Sequence, residues 1–295
     1  MKNENQKKTI QELGRIVAGG YYDFQEVRKS LFNRVRDIVY RKSEGIGLNE
    51  TLDEGQEKEK GNYSDDELFD KAEELIEEGK IKGREKEYVE EFMKRMKEMQ
   101  SLENGYKSML ESYLATEEIW TKWLQYLSGI GPVIGAGLVK YFGYCENYDT
   151  VSGLWKHCGM TPNGAKGRTK GEKLEYDPRR KTFVWKIANF AIRMQKLEPY
   201  TEVKKNEKEK QLRRMELKEE GKEDEYNGSA PESKGHAEAR AMRKAVKIFL
   251  SHYWCISRQL KGLDTKPPYV HDKLKHDNYI KPPKVPQKLQ PFEPY

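Results

Sequence analysis

Apolar residues recur at intervals of three and four along most of the chain, which is the pattern of amphipathic helices. Residues 1–48 follow this pattern, and the pair Gly19-Gly20 predicts a break or kink in their helix. Residues 43–65 contain few apolar positions, so we expect a loop there. Ser64 and Glu67 have the spacing of a capping box, which predicts the start of a long antiparallel pair of helices over 66–127.

A glycine-rich corner joins two apolar segments within residues 113–143. The first segment predicts a helix that continues to Leu127. The corner reads Gly129-Ile130-Gly131-Pro132, where proline suits a first helical turn and the glycines suit unusual backbone angles. Gly135 and Gly137 would allow the two helices to approach closely. These features predict a helix-hairpin-helix motif.

The C-terminal part of the chain predicts two long helices and a tail. Residues 200–225 predict a charged helix of mixed sign, supported by ion pairs four residues apart. Residues 235–260 carry an apolar stripe that predicts a long buried helix, with His252 on that stripe as a core histidine. The other side of this helix carries four basic residues: Arg240, Arg243, Lys244 and Lys247. Residues 263–295 hold seven of the twelve prolines and predict an extended basic tail.

These elements predict a mainly α fold. We expect a helical region with a charged arm, formed as a long helical hairpin, over residues 1–112. A helix-hairpin-helix domain is expected over 113–262, and the proline-rich basic tail occupies 263–295.

Composition narrows the class of protein. Charged residues make up 35% of the chain, against about 25% in typical globular proteins, so the core is expected to be small for the length. Three cysteines exclude a disulfide scaffold. No apolar run reaches the roughly 18 residues of a membrane span, and the N-terminus lacks the apolar run of a signal peptide. We therefore expect a cytoplasmic protein without membrane association.

The net charge of +6 is unevenly distributed. Residues 149–199 have a net charge of +6, from eleven basic and five acidic residues. Residues 235–295 have a net charge of +7, from twelve basic and five acidic residues, whereas 49–100 have −8, from ten and eighteen. Such asymmetry favours a polyanionic partner, although solvated helix faces are the alternative interpretation.

The glycine corner and the basic region after it suggest a phosphate-binding surface. Backbone N–H groups of Gly129, Ile130 and Gly131 are expected to contact phosphate oxygens, as helix N-termini do. Downstream positive charge comes from Lys166, Arg168, Lys170, Lys173, Arg179, Arg180 and Lys181. We expect the corner and this strip to lie on one side of the molecule. Contacts to phosphate read no base edge, so binding would be sequence-tolerant and salt-dependent.

The order of these motifs resembles a known family. The corner is followed by a short helix ending in Cys158-Gly159-Met160, a basic glycine-containing loop, and Arg179-Arg180-Lys181 before an apolar helix. This order is similar to the C-terminal domain of the DEDD insertion-sequence transposases of the IS-one-ten group. The resemblance covers about residues 120–195 and implies a DNA-binding fold associated with mobile elements.

Two departures concern catalysis. The family is understood to use a serine in the loop, but here no serine lies between Ser152 and Ser229. Thr161 and Thr169 are the nearby hydroxyls, and neither has an evident base. The family also carries a RuvC-like domain with metal-binding carboxylates, whereas residues 1–110 predict helices. The resemblance therefore implies DNA binding without identifying catalytic residues.

Three functions follow from this sequence. The first is a sequence-tolerant, transposase-like DNA-binding protein, with RNA as a possible substitute because phosphate contacts do not distinguish the two. The second is a DNA strand-transfer or recombination enzyme with an unrecognised or partner-supplied active site. The third is an adaptor that uses the hairpin for protein contacts. We expect no cofactor and no metal. Zinc bound by His271 and His276 of the tail is the alternative to a chain without a metal. An oligomer is compatible with the sequence.

Overall fold

The computed structural model of the chain describes residues 2–61, 63–161, 171, 174–266 and 280–283. Helices account for all the regular secondary structure in these ranges, which confirms the prediction of a mainly α fold. Within the same ranges, no helix has the length and apolar character needed to span a membrane.

The described residues form ten α-helices in succession. Their bounds are α1 Lys2–Ser43, α2 Glu54–Glu59, α3 Asp65–Glu77, α4 Arg84–Leu114, α5 Glu118–Lys122, α6 Pro132–Phe142, α7 Val151–His157, α8 Pro178–Ile187, α9 Tyr200–Glu219 and α10 Lys234–Leu260. A π-helical turn, Ala188–Met194, continues α8 directly. The chain divides into two compact units: the first is Lys8–Glu111, and the second combines Met1–Lys7 with Ser112–Tyr295.

Three long helices, α1, α3 and α4, form the core of the first unit, which also contains the short helix α2. This core joins one apolar stripe from each of α1, α3 and α4, and includes Val35, Val39, Leu68, Ala72, Leu75, Val89, Met93 and Met96. The predicted break at Gly19-Gly20 is wrong, because α1 runs through both residues. Gly20 serves close packing instead, since an added Cβ atom would lie 2.6 Å from Cε1 of Tyr106.

Capping boxes start two of the helices in this unit. Ser64 Oγ accepts a hydrogen bond from Glu67 N at 3.3 Å, and Glu67 Oε2 accepts one from Ser64 N at 2.7 Å, as predicted for α3. Asp53 and Gln56 form the same arrangement, so a short helix lies where only a loop was predicted. Reciprocal capping satisfies N–H groups that a six-residue helix would otherwise leave unpaired.

The hairpin differs from its prediction on one side. The second helix begins at Pro132 with Gly131 as N-cap, as predicted. The first ends at Lys122, because Trp123 leaves the helical region at φ −145° and ψ −62°. Its indole is fully buried and stacks on Phe249, with ring centroids 6.0 Å apart. Packing into the core thus overrides the helical periodicity up to Leu127, which lies after a 3₁₀ turn.

Gly135 and Gly137 both allow close packing of α6. Gly135 faces Trp120 of the first hairpin helix, where an added Cβ would lie 2.5 Å from Cζ3. Gly137 faces α8 instead, and its added Cβ would lie 2.3 Å from Cε2 of Phe183. That ring packs against the rings of Tyr141 and Phe142, so it has little room to move.

We expect Gly137→Ala to destabilise the second unit by about 1–3 kcal/mol, because the methyl group overpacks a crowded aromatic contact. The thermal unfolding midpoint, followed by tryptophan fluorescence, measures this change. Gly153→Ala in α7 is the control: its nearest neighbour would be Thr150 Oγ1 at 3.6 Å, so stability should stay constant or rise slightly. Equal midpoints for the two variants would contradict the packing role of Gly137.

Helix α10 is the centre of the second unit, and Phe249, Tyr253 and Trp254 are fully buried on it. His252 is a core residue, as predicted, with 3% of its surface exposed. Its Nδ1 lies 2.8 Å from the Tyr200 hydroxyl and its Nε2 lies 2.7 Å from the carbonyl oxygen of Ile280. At this point of the tail, the chain therefore contacts the core.

Candidate nucleic-acid interface

The glycine corner lies at the surface, but part of its backbone is already engaged. Gly129 has φ +78°, the left-handed conformation predicted for a tight hairpin, whereas Gly131 is extended at φ −81°. The N–H of Ile130 donates to Leu127 O at 3.1 Å, and the Ile130 side chain is buried. Of the three amides predicted to bind phosphate, that of Ile130 is therefore occupied within the turn, while Gly131 is exposed.

One side of the corner is covered by the chain after the π-helical turn. An added Cβ at Gly129 would lie 2.6 Å from Cβ of Gln195 and 3.1 Å from Cα of Ala191. Ser128 Oγ donates a hydrogen bond to Gln195 O at 3.3 Å. The corner is thus built to pack against this segment, and only its Gly131 side is open to a ligand.

The Arg179-Arg180-Lys181 run begins α8. Asp177 is the N-cap, and its Oδ1 accepts a hydrogen bond from Arg179 N at 2.9 Å. Arg179 is exposed, and Arg180 and Lys181 are half-buried. Lys181 Nζ lies 4.4 Å from the ring centroid of Tyr176, a cation–π contact that holds its charge near the start of α8.

The corner and this arginine run do not come together. Phe183 packs against Gly137 in the middle of α6, whereas Ala191 and Gln195 pack against Gly129 at its start. The α8 segment therefore runs antiparallel to α6. Arg179 and Arg180 lie roughly 15–20 Å along the helix from the corner, at 1.5 Å per residue. Lys166, Arg168, Lys170 and Lys173 lie outside the described residues.

A different set of side chains gathers around Arg180. Its Nη1 lies 2.6 Å from Nε2 and 2.9 Å from Nδ1 of His157 at the end of α7. The Tyr148 hydroxyl lies 3.1 Å from Nδ1 of the same imidazole. We name Tyr148, His157, Arg179 and Arg180 the α7–α8 patch.

Burial and neighbouring charges determine the protonation state of His157. Burial and the neighbouring Arg180 guanidinium lower the pKa of His157, against a smaller opposing effect of Asp177. The imidazole is therefore neutral near pH 7 and has one N–H and one lone pair. A donor aligned with the lone pair of one ring nitrogen lies far from the other nitrogen. Arg180 Nη1 is close to both, so the guanidinium lies against the imidazole ring.

Tyr148, His157 and Arg180 thus form one polar cluster at the start of α8. Within it, Arg180 Nε is buried without a hydrogen-bond partner, although Asp177 Oδ2 lies 3.7 Å away. A spare donor on a cationic surface is suited to an oxyanion.

The backbone that carries Tyr148 is held by α10. Its carbonyl oxygen accepts hydrogen bonds from Trp254 Nε1 at 2.7 Å and from Arg258 Nη1 at 3.1 Å. Arg258 is itself buried and has carbonyl oxygens as its hydrogen-bond acceptors. The hydroxyl of Tyr148 is therefore presented from a fixed position, which reduces the entropy lost on binding a ligand.

The two ends of the basic loop meet at the α7–α8 patch. Asp177 N donates to His157 O at 3.0 Å, which joins the chain before the loop to the chain after it. An added Cβ at Gly159 would lie 3.0 Å from both Lys181 and Tyr176. The described residues on either side of the basic loop are therefore held together beside Arg180.

Sequence reasoning identified Arg179 and Arg180 but missed Tyr148 and His157. Tyr148 precedes α7 and Arg180 lies in the first turn of α8, and no local spacing relates them. The tail histidines His271 and His276 lie outside the described residues. Elsewhere, in the described part of the chain, no group of three histidine, cysteine or acidic residues could hold a metal ion.

Comparison of the chain with protein family models, with curated proteins and with solved structures found no match in any of the three. The resemblance to the transposase domain therefore rests on the motifs around Gly129 and Cys158, and stays a prediction.

Proposed function

We propose that this chain is a sequence-tolerant DNA-binding protein that contacts the phosphate backbone through the α7–α8 patch. The observation that supports the proposal is the cluster of Arg180, neutral His157 and the Tyr148 hydroxyl, in which Arg180 Nε is buried without a hydrogen-bond partner. A phosphate oxygen can accept from such a donor and neutralises the adjacent guanidinium groups.

Sequence tolerance follows from the short reach of these groups. Tyr148 is largely buried and Arg180 is half-buried, so neither extends from the surface as a reader of base edges does. The sequence between Thr161 and Leu174 adds further positive charge to this part of the chain. Binding would then depend on release of counterions from the nucleic acid and would weaken steeply as salt rises. The transposase-like motifs support DNA from a mobile element as the natural ligand.

The geometry supports binding over strand-transfer catalysis. A tyrosine nucleophile needs a base to accept its proton, and His157 is the adjacent candidate. Burial and the Arg180 guanidinium lower the pKa of His157, however, so the imidazole is a weak base for that proton. Burial also raises the pKa of Tyr148, which opposes formation of a phenolate.

Protein contact is a second candidate role for the glycine corner, as distinct from the α7–α8 patch. Beside the corner, the π-helical turn has two large apolar side chains at the surface, Phe190 and Met194, which are 53% and 62% exposed. They are four residues apart and adjacent to Ala191 and Gln195, which pack on Gly129. Exposed apolar side chains of this size are typical of protein contacts.

The DNA proposal is tested by fluorescence anisotropy of labelled duplex, branched and single-stranded DNA and of RNA over a salt series. Combining Arg179→Glu with Arg180→Glu is expected to abolish tight binding at low salt. It should also reduce the slope of log K against log salt by about two, because two phosphate contacts are lost.

Lys205→Glu with Lys218→Glu on α9 is the control, since it makes the same change in net charge at two exposed positions. It should retain most of the affinity and the salt slope. Equal losses in the two double variants would show that net charge, and not the α7–α8 patch, binds DNA. A wild-type chain that ignores all four nucleic acids at low salt would contradict the proposal and favour the adaptor role.

A further inference from the structure

Helix α10 carries two half-buried cations that have no negative partner among the described residues. Arg243 and Lys247 are one helical turn apart, so their side chains lie on the same face of α10. No carboxylate in the described ranges lies within ion-pair distance of either side chain. An uncompensated charge in a partly dehydrated position is costly, and such positions are normally filled by a counter-charge.

The other cations of α10 show how this helix satisfies charge elsewhere. Lys244 Nζ donates to Glu207 Oε2 at 2.6 Å, although Lys244 is exposed. Arg240 donates to the carbonyl and hydroxyl oxygens of Ser229 and to Gln211 Oε1. Arg243 and Lys247 are thus the more buried pair, yet they have fewer acceptors for their charged groups. A stable protein is expected to show the opposite.

Trp155 of α7 forms one wall beside this pair. Lys247 Nζ lies 4.1 Å from its ring centroid, and Trp155 Nε1 donates to Lys247 O at 3.0 Å. The cation–π contact offsets part of the dehydration of Lys247, but it does nothing for Arg243. Burial lowers the pKa of both residues, and their mutual proximity lowers that of Lys247 further.

We infer that Arg243 and Lys247, with Trp155 beside them, form a binding site for a phosphate-class oxyanion. One tetrahedral anion can accept hydrogen bonds from the guanidinium and the ammonium together, and so neutralise both charges. This site is distinct from the α7–α8 patch and does not require that patch to bind DNA. The phosphate belongs either to a nucleic-acid backbone or to a free phosphate compound.

The test is thermal unfolding, followed by tryptophan fluorescence, in sodium phosphate and in sodium chloride of equal ionic strength and pH. The double variant Arg243→Met, Lys247→Met is compared with Lys205→Met, an exposed lysine of α9. Without phosphate, the double variant should unfold at a higher temperature than the wild type, because two unpaired charges leave a dehydrated site. The midpoint of the wild type and of Lys205→Met should rise in phosphate, and that of the double variant should rise far less.

The combined variant Arg179→Glu, Arg180→Glu separates the two sites. It should keep the phosphate response that Arg243 and Lys247 provide, whether or not the chain binds DNA. The single variants Arg243→Met and Lys247→Met provide a second measurement, each with a reduced response. An undiminished phosphate response in the double Met variant, relative to Lys205→Met, would overturn the inference.

Anisotropy with labelled duplex identifies the source of the phosphate. If it is the nucleic-acid backbone, Lys247→Met should lower the affinity for all duplex sequences alike and reduce the salt slope by about one. If Lys247→Met binds DNA as tightly as Lys205→Met but loses its stabilisation by phosphate, the ligand is a free phosphate compound. Both results support the site.

Discussion

Acidification from about pH 6.5 to about pH 4 is expected to destabilise the second unit by ~3 kcal/mol through His252 alone. Burial lowers the pKa of this histidine to about 4, against a smaller opposing effect of the Ile280 carbonyl. Its ordinary value is about 6.5, so the unfolded chain binds a proton in this range that the folded chain excludes. The stabilisation is complete above the unfolded pKa and is lost as pH falls through the folded one.

The hydrogen bonds explain why His252 resists protonation. Nε2–H donates to Ile280 O, so Nδ1 carries the lone pair and accepts from the Tyr200 hydroxyl. A second proton on Nδ1 would place a charge in a site that is almost fully dehydrated, and would break the bond from Tyr200. Protonation therefore favours the unfolded chain.

His252→Gln isolates this effect. Glutamine can place an amide donor near the Ile280 carbonyl but does not titrate. Urea midpoints from tryptophan fluorescence, measured near pH 7 and near pH 4.5, should fall much less in the variant than in the wild type. The remaining fall reports carboxylates and His157, which are common to both proteins. Parallel losses in wild type and variant would show that His252 does not set the acid sensitivity.

Several parts of the fold follow from local physics and could be predicted. The capping box at Ser64 and the start of α6 at Pro132 depend on residues within one helical turn. The buried stripe of α10 depends on regular spacing along one helix. Each of these signals is contained in a short window of sequence, so tertiary structure adds detail but does not alter them.

The site could not be predicted in the same way, because long-range packing builds it. The antiparallel direction of the α8 segment against α6 follows from Phe183 meeting Gly137, and it separates the glycine corner from Arg179. The polar cluster at the start of α8 joins Tyr148, His157 and Arg180, which are distant in sequence. The break at Trp123 likewise depends on Phe249 of α10, far along the chain.

Replacing Arg28 by methionine is expected to destabilise the first unit by about 3–5 kcal/mol, because it leaves a buried carboxylate unpaired. Arg28 Nε lies 2.6 Å from Glu103 Oε1, and its Nη1 lies 2.5 Å from Asp65 Oδ2. Only 2% of the Glu103 side chain is exposed. Burial would lower the pKa of Arg28, but hydrogen bonds and attraction from Glu103 and Asp65 outweigh it and raise the pKa.

The tryptophans allow this prediction to be assigned to one unit. All five lie after Ser112, so their fluorescence reports the second unit, whereas circular dichroism reports helices in both. Arg28→Met should therefore lower the midpoint seen by circular dichroism by more than any change seen by fluorescence. Lys29→Met is the control: Lys29 is exposed and contacts only its helix neighbours Gln25, at 3.0 Å, and Glu26, at 3.5 Å, among the described residues, so its loss should cost well under 1 kcal/mol.

A second substitution separates the cost of an unpaired charge from the worth of the ion pair. Adding Glu103→Gln to Arg28→Met removes the buried charge, so it should recover much of the lost stability. The double-mutant cycle then gives the coupling between the two side chains. If Glu103→Gln recovered nothing in the Arg28→Met background, the cost would lie in lost packing of the arginine stem against α1, α3 and α4, and the carboxylate would not be the cause.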